Sequence, residues 1–167
     1  MGASGDDVLE GGMGDDTIAG GEGIDTVVFA GNKGDFTFEV SQDGTLTVTD
    51  LNTNTALGVD TITGVETLSF DDGDLTVTTA EDGYVTLTGT NAADDVTVVG
   101  ATAVTLEGVM GSDTLTGGDG ADTIIGGDGS DTVVFDGVQN DFDISVLSQG
   151  GGVETSGSGR IFIPEIT

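Results

Sequence analysis

Asp7 and Asp25 stand eighteen residues apart, each ending a glycine-rich hexapeptide, and the same pair returns as Asp113 and Asp131. Carboxylates brought close together repel strongly unless a cation lies between them. The neighbouring glycines leave backbone carbonyls unshielded, so a stacked pair would sit in an all-oxygen cage with two negative charges. Calcium accepts six to eight oxygens in irregular geometry, whereas magnesium demands a tight octahedron and keeps its water. Calcium is the expected ion. The alternative is that these aspartates only make Asx turns that cap glycine-rich loops, which would leave the stacked carboxylates uncompensated.

What must bring them together is a repeat. "GASGDDVLE", "GGMGDDTIA" and "GGEGIDTVV" run without a gap from Gly2 to Val28, and "GVMGSDTLT", "GGDGADTII" and "GGDGSDTVV" from Gly108 to Val134. In the formula G-G-x-G-x-D-x-U-x, the first six residues make a turn and the last three a short strand with the aliphatic residue U inward. Two such units close an 18-residue coil, so residue n lies under residue n+18 at the sheet spacing of ~4.8 Å. The expected inward residues are Leu9, Ile18 and Val27, then Leu115, Ile124 and Val133. Three aliphatics cannot offset the entropy of ordering so many residues, so folding of each block is expected to be linked to metal.

Between the blocks the period becomes two. "DFTFEVSQDGTLTVTD" alternates around Asp43-Gly44 and predicts a β-hairpin. "VDTITGVETLSFDDGDLTVTT" adds strands with a turn at Asp72-Gly73, and "GTNAADDVT" reads as a decayed nonapeptide. The phenylalanines at 29, 36, 38, 70, 135 and 142 are expected in the hairpin or roll-end core. Lys33 and Arg160 look too isolated to define a site, and Asp71-Asp72 and Glu81-Asp82 read as solvated turns. The stretches are 1–28 (block 1), 29–88 (hairpin extension), 89–107 (degenerate repeat and strands), 108–135 (block 2) and 136–167 (partial second extension and tail).

Composition agrees. The 167 residues carry 31 Asp or Glu against 2 Lys or Arg, a formal charge of -29. That balance disfavours nucleic acid, whose phosphates need cationic partners, and suits a chain that takes up cations. With no Cys and no His, disulfides, Cys or His zinc sites and His-based triads are excluded. No apolar stretch approaches a membrane span, so membrane insertion is not expected. Met1 stands directly before a repeat already in frame, so the chain reads as a piece of something longer.

On these residues the sequence resembles the RTX, or haemolysin-type calcium-binding, repeat family, whose nonapeptide builds a calcium-binding β-helix. "DTVVFAGNKGDFTFEV" and "GVDTITGVETLSFDDG" also resemble segments that follow such repeats. The resemblance implies an all-β fold, a right-handed parallel β-roll with a strand-rich extension between its blocks. It implies type I secretion, folding on external Ca2+, and a secreted, extracellular or bacterial cell-surface location. One ion would take Ala3, Gly5 and Asp7 with Gly20, Glu22 and Asp25; its counterpart would take Val109, Gly111 and Asp113 with Gly126, Asp128 and Asp131. Glu22 and Asp128 would give backbone oxygen only. Gly12, Gly14 and Asp16, and Gly118, Gly120 and Asp122, form half-cages on the opposite edge. Their partners eighteen residues on are Gly34 and Asn140, with Asp35 and Asp141 as substitutes; Asp94 or Asp95 is a further partner for Asp113.

The expected function is a calcium-binding structural module, a rigid scaffold or extender of an adhesin, surface-layer protein or exoenzyme, and not itself an enzyme. The alternative is a calcium-dependent carbohydrate-binding accessory module, like those attached to alginate-modifying enzymes. The expected partners are calcium ions and, through the parent protein, extracellular polysaccharide or a cell surface.

Overall fold

The computed structural model describes residues 2–53 and 56–135, and beyond them the backbone of three strands. The chain alternates between two sheets. β1 (Val8–Leu9), β2 (Thr17–Ala19) and β3 (Thr26–Val28) are the short strands of the first block. A 3-10 turn, Lys33–Asp35, leads into β4 (Phe36–Val40), β5 (Leu46–Asp50) and β6 (Val59–Thr63). β7 (Thr67–Phe70), β8 (Gly73–Thr79) and β9 (Val85–Thr88) follow, then β10 (Asp95–Val99) and β11 (Val104–Glu107). The second block holds β12 (Met110–Gly111), β13 (Thr114–Thr116), β14 (Asp122–Ile125), β15 (Asp128–Gly129) and β16 (Thr132–Val134). The remaining strands are β17 (Ile144–Leu147), β18 (Gly152–Thr155) and β19 (Gly159–Phe162).

One sheet runs β1-β3-β7-β8-β9-β11-β14-β19 and the other β16-β13-β10-β4-β5-β6-β2. Pairing is parallel within each repeat block, as β1 on β3 and β13 on β16. It is antiparallel in the meanders β4-β5-β6 and β7-β8-β9. The protein is an all-β roll with sheets that do not close, parallel at both ends and antiparallel in the middle. β12 pairs with β15 and β17 with β18 as two small ribbons.

Parallel neighbours start at the same edge of a sheet. The turns entering the first sheet therefore line one edge of the roll, and those entering the second sheet line the other. This places the carboxylates, because every motif aspartate sits in or ends such a turn.

The core is concentrated in the middle. Among the described residues all but four of the buried apolar side chains lie between Phe29 and Leu106; the four are Ile18, Val27, Leu115 and Ile124. Leu9 and Val133 pack against this core only partly buried. Phe29, Phe36, Phe38 and Phe70 form a ring cluster, with centroids 5.3–5.9 Å apart. Period-two alternation produces it, since the inward residues of β4 (Phe36, Phe38, Val40) and β5 (Leu46, Val48) are buried and their neighbours are not. Phe142 lies outside the described residues.

Candidate metal centres

The first centre forms on the edge where the chain enters the first sheet. Val8 is paired with Thr26, so Asp7 lies on Asp25. The Asp7 N–H donates to Asp25 Oδ1 (2.8 Å), and Asp7's own Oδ2 accepts from the Ala3 N–H (2.9 Å). Ala3 O accepts from the Glu22 N–H (3.2 Å), while Glu22 O accepts from the Gly5 N–H (2.7 Å). A Cβ added to Gly2 would meet both Gly20 O and Asp7 Oδ2. A carbonyl of one layer and a carboxylate of the next thus wall one space, which only glycine leaves open. Gly21, with φ +120°, has no room for a side chain either, because a Cβ there would strike Ala3 O. Carbonyl oxygens carry two lone pairs, so those accepting a ladder bond remain able to ligate.

The second block repeats this geometry. Asp113 lies on Asp131, its N–H donating to Asp131 Oδ1 (3.1 Å). Val109 O accepts from the Asp128 N–H (2.9 Å), and Gly111 pairs with Gly129. A Cβ on Gly108 would meet Asp113 Oδ2 and Gly126 O. Although the two blocks superpose in sequence, their cages face opposite edges: Asp7 and Asp25 precede strands of the first sheet, Asp113 and Asp131 strands of the second.

Each pair continues into a third acid. The Asp25 N–H donates to Glu66 Oε2 (2.8 Å), and the Asp94 N–H donates to Asp113 Oδ1 (2.9 Å). Asp94 sits in the decayed repeat as a motif aspartate should, its Oδ2 accepting from the Thr90 N–H (2.7 Å). Glu66 was not legible as a ligand, but "VETL" repeats the acid-Thr-aliphatic end of the nonapeptide, and Thr67 pairs with Thr26 accordingly.

The half-cages differ from expectation. Asp16 does not meet Gly34 or Asp35, because β2 pairs with β6 rather than β4. The meander reverses strand order, so Asp60 lies beside Asp16 and accepts its N–H on Oδ1 (2.9 Å). Gly14 stacks on the same loop, its N–H donating to Ala56 O (3.1 Å), and Gly12 takes φ +95°. Asp35 instead accepts the N–H of Asn32 (2.9 Å) and closes its own turn. Asp122 faces β11, its Oδ1 accepting the Val104 N–H (3.1 Å). On its other side Asp122 is opposite Gly159 rather than Asn140; Asn140 and Asp141 lie outside the described residues. A Cβ on Gly118 would meet Gly100 O and one on Gly120 would meet Thr102 O, so this turn rests on the loop before β11.

The donor set fits calcium. Asp16 Oδ2, Asp25 Oδ2 and Asp113 Oδ2 are buried with no hydrogen-bond partner. A buried carboxylate oxygen without a partner is costly, and a hard cation satisfies it. Every donor is oxygen, which excludes a soft-metal site. Among the described residues no three acidic side chains gather into a metal cluster; the cages combine paired carboxylates with turn carbonyls. Burial pushes the Asp113 carboxyl above its usual range, opposed by the Asp94 N–H and reinforced by the Asp131 and Asp94 carboxylates. Burial likewise raises Asp60, with Asp16 and Asp15 adding to it. Asp122 is pushed up to about 6, by burial first and then by Asp119, against the Val104 N–H.

The family comparison agrees with this donor set. The family described as RTX calcium-binding nonapeptide repeat matches in 4 copies, over residues 1–27 and 107–140. No curated protein matches the sequence significantly. Among solved structures, extracellular lipase LipA from Serratia marcescens is similar at 18% identity and a TM-score of 0.29, over 99% of this chain and 37% of that one. The chain thus spans little more than a third of that lipase. Among the described residues no helix is long and apolar enough to cross a membrane. The matched repeats make the chain a calcium-binding module, of a kind that occurs in type I-secreted extracellular proteins. The two glycine-aspartate blocks are RTX calcium-binding nonapeptide repeats, and their ion is Ca2+.

Proposed function

We propose that the module stiffens on meeting external calcium and serves as a rigid scaffold or extender for an adhesin, surface-layer protein or exoenzyme, without catalysis of its own. The observation that carries this reading is the set of buried, partnerless oxygens on Asp16, Asp25 and Asp113, each beside a second carboxylate. Ligation stabilises a fold by about 2.7 kcal/mol per site when free ion is 100 times its dissociation constant. Calcium therefore supplies what the thin apolar core of each block lacks.

The scaffold reading is favoured over a carbohydrate-binding one by the groove beside the Asp43-Gly44 turn. It has a volume of about 390 Å³ and is lined by Asp43, Thr45, Thr63, Glu66, Val77 and Thr79 with their neighbours, none aromatic. The groove offers no aromatic face on which a sugar ring could stack. Circular dichroism of the chain in EGTA and then in excess calcium tests the proposal. The β signal is expected to rise on calcium addition; identical spectra would count against it.

A further inference from the structure

Lys33 is the chain's single lysine and is fully buried, contrary to its isolated look in the sequence. Its Nζ donates to Asp72 O (3.0 Å), Asp72 Oδ1 (3.0 Å) and Gly73 O (3.1 Å), and lies 3.1 Å from Asp94 Oδ1. Two carboxylates and two turn carbonyls thus surround one positive charge. Asp72, expected as a solvated turn residue, is part of this enclosure and also accepts the Lys33 backbone N–H (3.0 Å).

The position in the fold gives the arrangement its meaning. Asp94 is the motif aspartate of the decayed repeat, held by Thr90 as Asp7 is held by Ala3. In the calcium blocks the Oδ1 of a motif aspartate such as Asp25 or Asp131 accepts an N–H from the next layer. Asp94 Oδ1 meets the Lys33 ammonium instead, where β10 pairs with β4 and the decayed repeat joins the meander. Taking an ammonium out of water costs several kcal/mol unless its protons are satisfied, and here its three protons have four oxygens.

We propose that the Lys33 ammonium is the resident cation of an interlayer cage of the same chemical kind as the calcium cages. It joins the repeat stack to the central meanders without needing metal. Both ends of the roll then answer to calcium while the seam between them does not. Calcium is the probe of one variant, and to that extent the inference rests on the proposed function.

Two measurements on the full chain test it. In EGTA, Lys33 is expected to resist an amine-acylating reagent long after an exposed reference lysine is consumed, and calcium is expected to leave that resistance unchanged. Acylation at the free-lysine rate in EGTA would overturn the proposal. Lys33→Ala removes the ammonium and opens its space, so equilibrium dialysis is expected to find one more calcium bound per chain than in the unaltered protein. Unchanged stoichiometry, or a variant that stays unfolded in saturating calcium, would overturn the equivalence of the two cages. A chain that binds no calcium at all would defeat the reading of the repeats, while the labelling in EGTA would still decide the role of Lys33.

Discussion

Asp113 separates the two roles a cage carboxylate plays. In the proposed cage it would favour calcium, while in the calcium-free fold burial and its acidic neighbours oppose its charge. Asp113→Asn keeps an acceptor for the Asp94 N–H but carries no charge. Calorimetric titration is expected to show calcium affinity at that edge weakened by about tenfold or more, roughly 1.4 kcal/mol. Melting in EGTA is expected to move the other way, with the variant at least as stable. Val109 offers a second test, for it occupies a motif position where Gly21 and Gly127 take positive φ, and it takes φ +79° itself. A β-branched residue there stores about 1–3 kcal/mol of strain. Val109→Gly is expected to raise the melting temperature in calcium, less the entropy that glycine brings to the unfolded chain; a lowered melting temperature would contradict the strain. Protons probe the same carboxylates. Asp122 has its pKa raised to about 6 from 3.8, so the folded state binds more protons than the unfolded one between those values. Stability from this group is complete below about pH 4 and is lost as pH rises through about 6. Metal-stripped protein is thus expected to melt at a higher temperature at pH 5 than at pH 7.5 in scanning calorimetry, and Asp122→Asn to narrow that difference.

At the level of elements, the two kinds of strand have different support. The repeat strands β1, β2, β3, β13, β14 and β16 carry one inward aliphatic each, while β4 to β9 hold most of the buried core and, with Phe29, the phenylalanine cluster. Hydrogen exchange in EGTA is expected to protect amides of β4, β5, β7 and β8 and to leave those of β1, β2, β13 and β16 open, with calcium closing the latter. Uniform protection in EGTA would mean that the blocks stand without metal. What could be read from the chain follows the same division. The stacking of Asp7 on Asp25 and of Asp113 on Asp131 is a consequence of period, and period is visible in spacing. The β4-β5 turn at Asp43-Gly44 is equally local, with Gly44 at φ +80°. The pairing of β2 with β6 is not local: a meander inserted between two layers reverses the order of strands, and no spacing rule brings Asp60 to Asp16. Lys33 was illegible for the same reason, since its partners lie 39 and 61 residues away and meet only when β10 docks on β4.

Across the whole molecule, a formal charge of -29 sets the terms. Self-repulsion of that size works against a compact state, and stacking concentrates it in columns: Asp7, Asp25 and Glu66 on one edge, Asp94, Asp113 and Asp131 on the other. One column ends at the lysine cage, so the centre of the roll is neutralised from within while its ends wait on the medium. On the proposed function, such a chain would gain rigidity on passing from a calcium-poor to a calcium-rich environment. The central claim is that divalent ions bridge the stacked carboxylates. Anomalous diffraction from crystals grown in millimolar calcium tests it most directly. The expected result is calcium density ~2.3–2.6 Å from Asp25 Oδ2 and from Asp113 Oδ2, shared with Asp7 and Asp131. Water alone between those layers, with the blocks nonetheless folded, would contradict the account.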